Sequence, residues 1–144
     1  MAGHPGVDVS PLAKVASGGE LSRIGLAIFT LTSRNTSVPT LIFDEVDSGV
    51  GGATGEVVGR MIKQLGLTRQ VLCVTHLPQV AACGDHHLKV EKVSDGIETV
   101  SYLRELNPTQ RVEEIARMLG GLLITQKTKV LAEEMVKANL SQEE

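Results

Sequence analysis

The sequence predicts an α/β fold: a mostly parallel sheet flanked by helices, with a hairpin toward the C-terminus. Three observations carry this reading. Two short apolar runs, Leu41-Ile42-Phe43 and Val71-Leu72-Cys73-Val74, suit strands buried on both faces of a parallel sheet. Apolar residues recur at helical spacing before, between and after them. Asp95-Gly96 separates two further strand-like runs, which is a hairpin signal.

Taken in order, residues 1–12 carry Gly3, Pro5, Gly6 and Pro11 and read as an extended loop or a cut edge. Leu21, Ile24, Ile28 and Leu31 then predict a helix over 19–34. Ser17 stands at its N-cap with Glu20 three residues on, as in a capping box. Asn35 to Pro39 is a turn, and the first apolar run follows. Ser48 to Gly52 is a flexible loop. Val57, Val58, Met61, Ile62 and Leu65 share one face of a helix over 53–65, closed by Gly66. After the second apolar run, Pro78 to Cys83 reads as a short helix with Pro in its first turn. Residues 87–92 and 98–104 form the hairpin arms. A helix over 109–119 is capped by Asn107 or Thr109 and closed by Gly120-Gly121, and a last helix covers 125–139. Residues 140–144 read as a frayed tail. With no repeat or low-complexity linker, residues 1–144 read as one domain, cut from something larger.

The chain of 144 residues is long enough for a real core, and 42% of it is apolar. Only 2% is aromatic and Trp is absent, so aliphatic side chains must build that core. A formal net charge of −3 argues against a chain-wide nucleic-acid footprint. Cys73 and Cys83 lack metal-like spacing and read as reduced thiols. No apolar run approaches a membrane span and no signal-peptide pattern stands at the start, which points to the cytosol.

The chemistry-bearing residues cluster at strand ends. Asp44 and Glu45 follow the first apolar run, where open α/β sheets bind their ligands. Carboxylates there can hold Mg²⁺ directly or through water, and can take a proton from an attacking water. Thr75-His76 follows the second run, so a parallel sheet puts His76 on the same edge. Ser17-Gly18-Gly19 at a helix start exposes backbone N–H groups to an anion. Asp85-His86-His87 looks like a metal cluster, but adjacent histidines on a strand point to opposite faces.

Three motifs now stand in order: Ser17-Gly18-Gly19-Glu20, Leu41-Ile42-Phe43-Asp44-Glu45 and Thr75-His76. Together they resemble the signature motif, Walker B and switch histidine of an ABC-type ATPase head. The longer wording, Phe43-Asp44-Glu45-Val46-Asp47-Ser48-Gly49-Val50 and Val74-Thr75-His76-Leu77-Pro78-Gln79-Val80-Ala81, resembles SMC-like proteins of bacterial DNA double-strand-break repair and recombination. The resemblance implies the C-terminal half of an ABC/SMC-type P-loop ATPase head. It implies that Asp44 helps to hold Mg²⁺ through water and that Glu45 is the general base. His76 would contact the γ-phosphate. Ser17, Gly18, Gly19 and Glu20 would meet ATP bound mainly to the opposite protomer. Asp47, Ser48 and Gly49 would form a loop crossing the dimer interface.

The chain has no Gly-x-x-x-x-Gly-Lys-[Ser/Thr], and no glycine is directly followed by lysine. The resemblance therefore implies an N-terminal Walker A lobe as partner, a second head in an ATP-dependent homodimer, DNA contacted through the full-length protein, and a cytoplasmic, nucleoid-associated location. This piece alone is expected to be inactive, because ATP and Mg²⁺ need the other lobe. The competing readings are a non-catalytic docking module and the head lobe of another SMC-like or RecF-like ATPase.

Overall fold

A computed structural model describes residues 23–28, 30, 38–96, 98–121 and 123–140. Residues 23–28 and 30 are helical, inside the helix expected over 19–34. Ser17, Gly18, Gly19 and Glu20 lie outside the described residues. The chain divides into two compact units, Met1–Val80 and Ala81–Glu144.

In the first unit, strand β1 (Thr40–Phe43) pairs with strand β2 (Gln70–Cys73) in parallel, from Thr40 opposite Gln70 to Phe43 opposite Cys73. Parallel strands need a long crossover. Here it contains helix α1 (Gly52–Gly66). Gly55, Val58, Gly59 and Leu65 are its buried residues, at helical spacing. A Cβ on Gly55 would stand 3.1 Å from Leu77 Cδ1, so glycine permits the close approach there. Val57, expected on the buried face, is exposed. Gly66 is the last helical residue rather than a left-handed closure, and Leu67 caps the helix in ordinary helical geometry. The core comprises Leu26, Leu41, Phe43, Val46, Val58, Leu65 and Val80, with Met61, Ile62, Val71, Cys73 and Leu77 packed on it.

The sheets differ from expectation in extent. Among the described residues there are two two-stranded sheets, one parallel and one antiparallel. Along β1, Leu41 and Phe43 turn inward while Ile42 is 70% exposed, because side chains alternate across a strand. Leu72 and Val74 are exposed as well, at 42% and 62%. The apolar continuity that reads as burial on both faces is thus matched, among the described residues, by cover on one face only.

Helix α2 (Pro78–Ala81) spans the division between the units. In the second unit, strands β3 (Leu88–Ser94) and β4 (Thr99–Glu105) form the expected antiparallel hairpin. Gly96 has φ +90° at the turn, and Asp95 Oδ1 accepts from Glu98 N at 2.8 Å. Helix α3 (Pro108–Gly120) starts with a full capping box. Asn107 Oδ1 accepts from Gln110 N at 2.9 Å, and Gln110 Oε1 accepts from Asn107 N at 3.1 Å. Asn107, not Thr109, is therefore the cap. Gly121, with φ +60°, ends α3 and donates to Arg117 O at 2.8 Å. At the start of helix α4 (Gln126–Leu140), the Thr125 and Thr128 hydroxyls lie 2.8 Å apart. Ala82, Ile115, Ala116, Ala132 and Val136 make the core of this unit, with small residues letting the helices come close.

Two polar groups brace that core. The buried Arg111 guanidinium donates to the backbone carbonyls of Ala82 (2.9 Å), Gly84 and Asp85 (3.3 Å). Glu114, also buried, accepts from Lys89 Nζ at 3.0 Å and from Arg117 Nη2 at 2.6 Å and Nε at 2.9 Å. Those donors, Arg117 first, hold the Glu114 carboxyl below its ordinary 4.5 against the opposing effect of burial. A carboxylate with a depressed folded-state pKa stabilises the fold above its unfolded value and loses that contribution as pH falls through the folded one. We expect Glu114→Gln to lower unfolding free energy by about 1.5–3 kcal/mol at neutral pH, the usual worth of hydrogen bonds to a charged group. The gap to wild type should shrink as the pH falls to about 3. Urea unfolding at the two pH values checks this.

Candidate functional site

The parallel register brings the candidate residues onto one rim. Phe43 O accepts from Val74 N at 2.9 Å, so the ladder continues past β2 to the residue before Thr75. Asp44 and Glu45 leave β1, and Thr75 and His76 leave β2, in the same direction. Asp44, Glu45 and His76 are all exposed, as groups that meet a ligand must be.

The loop after β1 turns sharply. Ser48 N donates to Glu45 O at 3.0 Å and Val50 N to Asp47 O at 3.2 Å. Glu45 has φ +55°, and among the described residues it alone adopts positive φ without being glycine. That geometry costs a β-carbon-bearing residue about 1–3 kcal/mol, and such strain clusters at functional sites. Val46 and Asp47 then turn fully inward, and Ser48 and Gly49 return toward the surface. Arg23 Nη1 donates to Ser48 O, which ties the helix behind the Ser-Gly-Gly-Glu motif to this loop.

Asp47 turns inward from this loop. It is 1% exposed. Its Oδ2 accepts from the Thr75 hydroxyl, from His76 N at 3.0 Å and from Leu77 N at 3.2 Å, and lies 3.4 Å from His76 Nδ1. Burial works to raise its pKa, but the Thr75 hydroxyl, the His76 N–H and imidazole, and the Leu77 N–H outweigh it and hold the carboxyl below its usual range. The side chain is therefore an internal tie, while Ser48 and Gly49 beside it are half-buried and exposed. Leu77 and Arg23 are the participants that sequence reasoning passed over, and Thr75 stood in the Thr75-His76 motif without a role of its own. A backbone N–H such as that of Leu77 leaves no trace in a sequence.

The donor set on the rim fits Mg²⁺ only in one manner. Among the described residues no group of three His, Cys, Asp or Glu side chains could enclose a metal ion. Mg²⁺ commonly keeps several waters and takes one or two carboxylates plus substrate phosphates. Asp44 and Glu45 suit that arrangement. In the second unit, His86 Nδ1 lies 2.8 Å from Glu105 Oε1, while His87 is half-buried and its pKa is lowered by burial and by Arg111, so the two imidazoles meet different surroundings.

The chain matches no family model. It is similar to a solved chain described in connection with ATP-driven dimerization and DNA-stimulated activation of SMC ATPases. The TM-score is 0.55 at 24% identity, over 79% of this chain and 68% of that one. The fold is accordingly that of the C-terminal lobe of an ABC/SMC-type ATPase head. Among sequences, the DNA repair protein RecN of Vibrio cholerae is 50% identical over 135 residues, 94% of this chain and 24% of that protein. RecN of Haemophilus influenzae is 52% identical over 131 residues, and RecN of Bacillus subtilis 43% over 134, covering 91% and 93% of this chain. The chain matches the C-terminal part of those RecN proteins and spans about a quarter of their length.

Two outcomes follow from the site's geometry. Burial, with Asp47 and Asp44 nearby, pushes the Cys73 thiol up to about 12. At pH 8 only about one thiol in 10⁴ is then ionised, so Cys73 should resist iodoacetamide until the chain is unfolded in urea; peptide mapping reads this directly. Glu45→Gly should relieve the positive-φ strain and raise unfolding free energy by about 1 kcal/mol, even though it removes the exposed carboxylate. A denaturation midpoint at or below that of wild type would contradict the strain assignment.

Proposed function

We propose that this chain supplies one half of a composite ATP-hydrolysing site in a RecN-like, SMC-like ATPase of DNA double-strand-break repair and recombination. The observation that carries the reading is the common rim of β1 and β2, which puts Asp44-Glu45 and Thr75-His76 side by side. Glu45 is the general base. Its carboxylate takes a proton from the water whose oxygen attacks the γ-phosphorus, while the bond from phosphorus to the ADP oxygen breaks. His76 contacts the γ-phosphate. Asp44 would help to hold Mg²⁺ through water, and the ion would neutralise charge on the phosphates. Ser17, Gly18, Gly19 and Glu20 meet the nucleotide of a second head, and Ser48 and Gly49 lie along the interface.

Phosphoryl transfer depends on positioning and charge neutralisation more than on covalent chemistry. Most of the phosphate cradle is missing from this sequence, which has no Gly-x-x-x-x-Gly-Lys. The cradle belongs to an N-terminal Walker A lobe. The exposed apolar residues Ile42, Leu72 and Val74 on the open face of the parallel sheet support docking of further structure there. DNA is engaged through the full-length protein, in the cytoplasm and at the nucleoid. Among the described residues no helix is long and apolar enough to cross a membrane.

The same open face favours a second reading, in which the lobe only docks and does not contribute to catalysis. The two readings part in one experiment. Alone, the chain should neither bind ATP tightly nor hydrolyse it. Mixed with its N-terminal lobe it should turn ATP over, and Glu45→Gln should abolish turnover and trap an ATP-bound dimer, seen by phosphate release and by size-exclusion chromatography. Normal hydrolysis by the reconstituted Glu45→Gln protein would remove Glu45 from its role and leave the docking reading.

A further inference from the structure

One carboxylate oxygen collects the backbone that carries His76. Asp47 Oδ2 accepts from three consecutive residues: the Thr75 hydroxyl, His76 N at 3.0 Å and Leu77 N at 3.2 Å. Thr75 Oγ1 in turn accepts from Leu77 N at 3.0 Å, which closes the turn on itself. The donors lie 28–30 residues from Asp47 in the chain, so no local turn preference builds this cluster. Asp47 stands two residues after Glu45, in the loop whose bend depends on the Glu45 carbonyl.

The His76 side chain is 70% exposed, yet its Nδ1 faces Asp47 Oδ2 at 3.4 Å. A carboxylate beside Nδ1 favours a proton on that nitrogen and leaves Nε2 as the outward atom. Among the described residues the other Asp47 oxygen, Oδ1, is buried and has no hydrogen-bond partner.

We propose that Asp47 is a positioning residue that locks the His76 turn to the Glu45 loop and sets which imidazole nitrogen faces the nucleotide. The proposal rests on the reading of His76 as the group that meets the γ-phosphate. It deepens that reading by making the two catalytic loops one mechanical unit. Movement of His76 on meeting a phosphate is carried by the Asp47 carboxylate to residues 45–49, so the presence of ATP is reported to the loop holding the general base. Asp47 itself touches no substrate.

The test uses the longer protein that joins this chain to its Walker A lobe, with Asp47→Asn, Thr75→Val and Thr75→Ser variants. Removing a partner that orients a reacting side chain commonly costs about 10–100-fold in activity. We expect Asp47→Asn and Thr75→Val to lower kcat within that range while the KM for ATP stays within about twofold. Thr75→Ser, which keeps the hydroxyl, should restore kcat. In protein labelled with ¹⁵N-histidine, the His76 signals should show the Nδ1–H form in wild type and move toward Nε2–H in Asp47→Asn. The imidazole signals need no turnover, so they decide the positional claim even if the ATPase reading falls. Unchanged His76 signals in Asp47→Asn would overturn the proposal, and so would a Thr75→Val protein with wild-type kcat.

Discussion

Everything at the candidate site hangs from the parallel, in-register pairing of β1 with β2. Hydrogen bonds from Thr40–Gln70 through Phe43–Cys73, and on to Val74, oblige both chains to leave the sheet at the same rim. A shift by one residue would reverse every side chain on the strand, moving Leu41 and Phe43 out of the core. The register is held because those two residues, with Val46 from the loop, pack into the same apolar cluster as Val58 and Leu65 of α1. Burial of aliphatic surface therefore decides where the carboxylates go, although no carboxylate takes part in it.

The loop after β1 shows how stability and chemistry share a few residues. Val46 and Asp47 anchor it, one in apolar packing and one in hydrogen bonds to residues 75–77. Between the strand and that anchor, Glu45 has no freedom to relax and adopts a left-handed backbone. Strain at this residue is thus a consequence of its neighbours' burial, and it leaves the Glu45 side chain outside the core. The second unit solves a different problem. Its core is small and rich in alanine, and the buried Arg111 and Glu114 are matched beside it by backbone carbonyls and by the cations of Lys89 and Arg117.

Much of this was legible beforehand, for reasons that differ by element. The hairpin is announced by Asp95-Gly96, because left-handed backbone at a tight turn selects glycine. Helix α3 is announced by Asn107-Pro108 and Gln110, whose capping is local and needs no tertiary partner. Helix α1 is legible from periodicity, but its exact face is not. Val57 and Val58 are chemically identical, and only the position of the β1–β2 sheet selects Val58 for burial. Ile42 fails in the same way, since its run of apolar neighbours cannot report that one sheet face lacks cover.

The sequence by itself determined the elements, the order of the motifs and the likeness to RecN proteins, because caps, turns and motif wording are written within a few residues of one another. Only the tertiary structure decided that Asp47 turns inward. Its partners at Thr75, His76 and Leu77 lie some 28–30 residues away, and nothing in the Asp44–Gly49 wording records them. The difference is one of range. A hydrogen bond inside a turn leaves its mark on neighbouring residues, whereas one made across two strand ends exists only once the sheet has formed.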